Sequence, residues 1–257
     1  MRSEFSEFSY GFSLSYEIMN ALRPNYTGYP LFPSLVEEAM KGFDVSFSRS
    51  GWPLFLQFKL SQYMTSPSAL HWSDFDAPHF RFKIHKRKRA KIEERQHNRL
   101  KELSKSEPDV YYAAPLFHLE TEFDNAFVND KIFMKTMFIS MSDLPEITDN
   151  DDHYIVFCDD KNLHWHSENN QSFDHGMIGT VFLDSLNNRT PKRLDYSYFR
   201  SLREDLFNIV RSSEGQSSFL SRRELLDDSI GSVLEDIRYI LSAKFGVEMI
   251  LFFTPIE

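Results

Sequence analysis

The stretch FDVSFSRSGWPLFLQFKLS, residues 43–61, decides how the rest of the chain is read. Apolar and polar residues alternate toward both of its ends, which is the two-residue period of a β-strand. Phe43, Val45 and Phe47 fall on one face of a first strand, opposite Asp44, Ser46 and Ser48. Leu54, Leu56, Phe58 and Leu60 fall on one face of a second strand, opposite Gln57, Lys59 and Ser61. Between them Arg49, Ser50, Gly51 and the Trp52–Pro53 pair predict a turn, because glycine and proline punctuate strands. The expected product is a β-hairpin that gathers a carboxylate (Asp44), an amide (Gln57) and an amine (Lys59) on one side. Such a trio can hold a metal ion and a water. The plainer reading is an amphipathic hairpin with a solvated Lys59.

Upstream, residues 3–22 predict a helix. Phe5, Phe8, Phe12, Tyr16 and Met19 make one apolar stripe, and Leu14, Ile18 and Ala21 make a second. A helix apolar on two sides is largely buried, so Glu17 between the stripes is expected to be partly buried. A buried carboxylate needs a partner, either a cation or a lysine or arginine at the surface. Residues 24–33 (PNYTGYPLFP) read as loop. Residues 34–42 read as a short helix with Ser34 and Glu37 in capping-box positions.

Downstream, residues 79–84 alternate as a strand, and 86–105 read as a helix. Its apolar face is narrow, made of Ile92, Leu100 and Leu103, and Gln96 lies on the same stripe. Strands are expected at 110–114, 132–139, 154–157, 163–166 and 247–253. Helices are expected at 116–127, 195–210 and 221–244, the last two separated by a linker, SSEGQSS. Strands alternating with helices predict an α/β fold, a mixed central sheet flanked by helices. The expected division is a core over residues 1–140 and an α/β extension over 141–257, packed on that core or on a partner.

A chain of 257 residues, 41% hydrophobic and with 25 phenylalanines, can bury a substantial core. Its apolar runs fall short of the roughly 20 residues a membrane helix needs, and no secretory leader is read at the start. One cysteine, Cys158, fits a reducing compartment, so the expected location is cytoplasmic. The net charge of −9 argues against a protein that simply coats nucleic acid. Residues 81–105 nevertheless hold eleven Lys or Arg against three Glu, leaving −17 on the remainder. Arg81, Lys83, Lys86, Arg87, Lys88, Arg89, Lys91 and Arg95 thus form a concentrated anion-binding path, or else a solvated helix face.

A second candidate cluster is Cys158, His164, His166 and His175. His-Trp-His on a strand puts two imidazoles on one face, a spacing compatible with zinc. The loose intervals and nearby turn residues favour surface histidines over zinc. Cys158, in the apolar run HYIVFC, reads as inert packing rather than a nucleophile.

The order is a helix with Glu17, a strand with Asp44, a strand with Gln57 and Lys59, a basic helix with Gln96, and a strand at Val110. Over residues 3–140 this order resembles the PD-(D/E)xK, or restriction-endonuclease-like, nuclease superfamily. The Q-x-K of Gln57 and Lys59, thirteen residues after Asp44, is similar to the Mrr-type branch, in which glutamine replaces an acid. Gln96 in QHNRL resembles a glutamine that some RecB-type members place on the following helix. The resemblance implies a restriction-endonuclease-like core with a C-terminal helical and strand extension. It implies a Mg²⁺- or Mn²⁺-dependent endonuclease acting on DNA, RNA being equally compatible with the residues, as the effector of a defence or restriction system. Asp44, Gln57 Oε1 and the Phe58 backbone carbonyl would hold the metal, with Glu17 as a further carboxylate. Lys59 would orient the attacking water or help deprotonate it. A protein partner or self-assembly would control activity, with contacts sought on the C-terminal helices. The alternative is a non-catalytic nucleic-acid-binding or partner-docking subunit with a degenerate nuclease fold.

Overall fold

The computed structural model describes residues 1–23, 25–30, 48–84, 96–149, 151–158, 161–166, 171–173, 176–214 and 229–255. Asp44, Lys86, Arg87, Lys88, Arg89, Lys91, Arg95 and His175 lie outside the described residues.

In chain order the first strands are β1 (Thr27–Pro30), β2 (Ser48–Phe58), β3 (Gln62–Met64) and β4 (His79–Lys83). Next come β5 (Val110–Pro115), β6 (Thr136–Ser140), β7 (Tyr154–Cys158) and β8 (Lys161–His166). The last are β9 (Gln171–Phe173), β10 (Gly176–Ile178), β11 (Lys192–Asp195) and β12 (Glu248–Phe253). The helices are α1 (Glu7–Leu22), α2 (Gln96–Ser106), α3 (Glu120–Val128), α4 (Gly179–Asn187), α5 (Tyr196–Glu214) and α6 (Ile230–Ile240).

The turn predicted at residues 49–53 is not a turn. Those residues belong to β2, a continuous strand of 11 residues. Gly51 is there for close approach: a Cβ would sit 2.1 Å from the Phe252 carbonyl oxygen on β12. Pro53 is tolerated for a reason of edges. The amides of Phe55 and Lys59 reach toward β5, at Asp109 O (2.8 Å) and Ala113 O (3.0 Å). By alternation the missing N–H of Pro53 faces the same edge. There β11 pairs with β2 only as far as Gly51 and β5 starts at Phe55, so the proline falls in the gap between two partners.

The first sheet runs β1-β12-β2-β5-β6-β10, with β11 also paired to β2. Only β2 and β5 are parallel, so the sheet is mixed. Strands β10, β11 and β12, all beyond residue 140, complete the sheet begun before it. The second sheet, β3-β4-β7-β8-β9, is antiparallel throughout. The architecture is α/β, a mixed central sheet flanked by helices. Among the described residues no helix is long and apolar enough to cross a membrane.

Alternation along β2 sorts its side chains as the sequence predicts. Trp52, Leu54, Leu56 and Phe58 enter one core with α1, α3, α4 and the 3₁₀ turn Phe133–Lys135. Phe55 enters the other core, with α2, α5, α6 and the inner face of the second sheet. Helix α1 is capped by Ser6, whose hydroxyl accepts from Ser9 N. Its buried stripe is Tyr10, Leu14, Ile18 and Leu22, whereas Phe8, Phe12 and Tyr16 face outward. Both faces are apolar, so the sequence does not say which one the sheet takes. Gly11 resolves it. A Cβ there would lie 2.5 Å from the Phe58 ring, so α1 crosses the end of β2 closely, N-terminus near the strand's exit.

Candidate functional site

A cleft of about 400 Å³ opens where β2 ends. Gln57, Lys59 and Leu60 line it from β2 and its exit, and Glu7 from the first turn of α1. Phe82 and Lys83 come from β4, Gln96 from the start of α2, and Gly246 from the turn after α6. Four of the sequence-predicted residues, Gln57, Lys59, Lys83 and Gln96, are therefore brought together.

Gln57 is buried, and its Nε2 donates to the carbonyls of Phe245 (3.2 Å) and Gly246 (3.4 Å). Two carbonyl partners require a donor, which fixes the amide's orientation. Its Oε1 is then buried without a hydrogen-bond partner among the described residues. Gly246 takes a left-handed φ of 64°, and a Cβ there would lie 1.9 Å from Gln96 Nε2 and 3.2 Å from Gln57 Nε2. The two glutamines thus converge over a residue that has to be glycine.

Lys59 is half-buried. Desolvation lowers its pKa, and the Glu7 carboxylate opposes that shift. Its Nζ lies 5.7 Å from the centre of the Tyr112 ring. Tyr112 is buried, and its hydroxyl is 3.0 Å from His97 Nδ1, whose Nε2 is 2.7 Å from Pro145 O. The Pro145 carbonyl accepts from Nε2, so Nδ1 accepts from the tyrosine. Burial holds the His97 pKa down to about 4, keeping this floor beneath Lys59 neutral.

Glu7 stands at the cleft's exposed rim. Desolvation raises its pKa, and Lys59 pulls it back. Sequence patterning missed it. Its place at the start of α1 is legible, but the meeting of that end with the end of β2 is a tertiary fact.

Glu17 goes elsewhere. It lies in the core on the α1 side of the sheet, and its two oxygens accept from Ile132 N (3.1 Å) and Phe133 N (2.7 Å). The predicted burial is found, and the partner is the start of the 3₁₀ turn rather than a surface cation. Burial pushes its pKa up, and the two amides oppose that. Gln57 is on the other face of the sheet. Phe58 closes β2 with its ring against α1. Asp44 lies outside the described residues, and the turn that would have folded it back beside Gln57 is strand. From Ser48 to Gln57 that strand advances about 30 Å.

Arg81 is not among the cleft residues. Its Nε donates to Gln62 Oε1 at 3.3 Å, and its guanidinium lies 5.0 Å from the Tyr154 ring centre. His164 and His166 do share a face of β8. His166 pairs with Asp74, and His71 stacks on its ring at 3.7 Å between centres. His71 and Asp74 come from the irregular stretch before β4 and carry no sequence pattern that would announce them. Among the described residues no group of three or more His, Cys, Asp or Glu is placed to hold a metal. Cys158 is buried, its Sγ 3.5 Å from Pro78 O.

Compared with known proteins, the chain matches no family model, no curated protein and no solved structure.

Proposed function

We propose that the chain is a divalent-metal-dependent nuclease that hydrolyses DNA phosphodiester bonds in the cleft at the end of β2. The observation that carries this is Gln57 Oε1, a buried, oriented oxygen with no hydrogen-bond partner among the described residues, in the same cleft as Lys59. Hard cations such as Mg²⁺ or Mn²⁺ take oxygen ligands and retain waters, so a neutral oxygen and a carboxylate suit them. Gln57 Oε1 and Glu7 would hold the ion, and a bound ion would offset phosphate charge and acidify a water. Lys59, its pKa lowered, is more readily neutral than an exposed lysine and can accept a proton from that water. As an ammonium it stabilises charge developing on the phosphate. Lys83 and Gln96 both line the cleft, and between them in sequence lie Lys86, Arg87, Lys88, Arg89, Lys91 and Arg95. Residues on both sides of that basic stretch thus line the site, which supports a phosphate path there. A role as the effector of a defence system, under a partner's control, follows from the same resemblance.

One observation favours a second reading. Among the described residues Glu7 is the only carboxylate lining the cleft. A site with so little negative charge also suits a non-catalytic module that binds nucleic acid.

Plasmid DNA and single-stranded RNA incubated with Mg²⁺ or Mn²⁺, with and without EDTA, test the proposal. Cleavage that EDTA abolishes, and that falls by about 100-fold or more in Lys59→Ala, is the expected result. Glu7→Gln and Asp44→Asn compared side by side identify the carboxylate, and Glu7 is the one expected to matter. Salt-sensitive DNA binding without cleavage would establish the second reading. Cleavage indifferent to both Lys59→Ala and Gln57→Ala would overturn the site.

A further inference from the structure

The helical layer on the α1 side of the sheet is unlike the rest of the surface. Nine large apolar side chains are exposed among the described residues, and only Met1 and Leu70 lie outside this layer. Phe8, Phe12 and Tyr16, at 80%, 54% and 46% exposure, form a stripe spaced every four residues on α1. Val128 and Met134 are exposed on α3 and the 3₁₀ turn, which pack on the same core as α1. The layer is continuous: the Phe5 ring stacks on Phe123 at 5.0 Å, and Phe123 on Phe127 at 6.4 Å. The opposite layer behaves differently. Helices α5 and α6, where a partner contact is expected from the sequence, expose no large apolar side chain among their described residues. Patches of this kind mark interaction sites.

Charge selects the occupant. Helix α3 carries Glu120, Glu122 and Asp124 and no lysine or arginine. Asp130 and Asp184 extend the acidic border, while Lys131, Lys135 and Arg23 offset part of it. An acidic rim repels nucleic acid and anionic lipid. A second copy docked α3 to α3 would set those carboxylates against their own equivalents.

We infer that this layer docks a partner protein through an amphipathic helix with one apolar and one basic face. Its rings would enter the Phe8–Phe12–Tyr16 stripe, and its basic face would meet the carboxylates of α3. The site is separate from the cleft and does not depend on what the cleft does.

The probe is a fluorescent helical peptide with one leucine face and one lysine face, with a leucine–glutamate peptide and a scrambled peptide as controls. Binding to the lysine peptide alone, weakened by salt, is expected in fluorescence anisotropy. The double variant Phe8→Ser/Phe12→Ser should weaken it at least tenfold at unchanged melting temperature. Glu120→Lys/Asp124→Lys should do the same. Equal binding of all three peptides, or binding indifferent to both double variants, would overturn the inference. So would absence of binding, preferential binding to phosphatidylglycerol vesicles, or a dimer in sedimentation that Phe8→Ser/Phe12→Ser dissociates.

Discussion

Gln57 Nε2 donates to the backbone carbonyl of Phe245 at 3.2 Å, joining the end of β2 to the turn that follows α6. The bond spans most of the chain and sets the direction of Gln57 Oε1, which is buried without a hydrogen-bond partner among the described residues. It also changes what a familiar substitution should do.

Gln57→Glu restores the acid that the resemblance leads one to expect, and from sequence alone it should preserve or raise activity. In the folded chain the new carboxylate would face two carbonyl oxygens with nothing to donate. The expected cost is about 1–3 kcal/mol of stability at neutral pH, together with lower activity. Denaturant titration and a cleavage assay read the two effects. An active, undiminished variant would show that the carbonyl contacts are dispensable.

Lys59→Met should abolish cleavage and stabilise the fold. The Lys59 pKa is lowered on folding, so between that value and the ordinary lysine value the unfolded chain holds more protons than the folded one. The penalty for burying the ammonium is therefore complete below the lowered folded value. It disappears as pH rises through the lowered folded value toward the ordinary lysine range. A higher melting temperature than wild type at neutral pH, with the gain shrinking as pH rises toward the ordinary lysine range, is expected. A gain constant with pH would remove the electrostatic cause.

Glu17→Gln separates structure from chemistry. One of the amides of Ile132 and Phe133 would lose its acceptor, at a cost of about 1–3 kcal/mol. Activity per folded molecule should stay at the wild-type level, because the carboxylate lies across the sheet from Gln57. A fall in kcat at unchanged stability would return Glu17 to the site.

Gly51→Ala distinguishes strand from turn. In an exposed turn the change would be mild. Against the Phe252 carbonyl the added carbon must push β2 and β12 apart, at about 3 kcal/mol or more. A variant as stable as wild type would overturn the continuous strand.

Much of the fold is legible in local pattern. The stripe Leu14–Ile18 foretells α1, the alternation of residues 54–58 foretells which side chains of β2 reach which core, and Gln96 is correctly placed on the inner side of its helix. The short strands β9, β10 and β11 are not legible, because three or four residues offer too little periodicity, and the nine-residue helix α4 is also missed. The site is legible as Gln57, Lys59, Gln96 and Lys83. Glu17 and Glu7 look alike in sequence, both carboxylates on an apolar helix, and only the crossing of α1 over Phe58 tells them apart.

What the sequence by itself determined is therefore periodic and local. It set the longer periodic elements, the parity of β2 from Leu54 to Phe58, and the amide and amine that parity places on one face. Three things were decided only by tertiary structure. Residues 49–53 are strand because β11 pairs with Arg49 to Gly51 and β12, nearly two hundred residues later, with Gly51 to Pro53, and because Pro53 falls between β11 and β5. The outward aromatic stripe of α1 is outward because the sheet took the other face. Glu7 shares a cleft with Lys59 because a helix start meets a strand end. Each is a pairing between distant segments whose free energy outweighs local preference, and local preference is all that neighbouring residues can express.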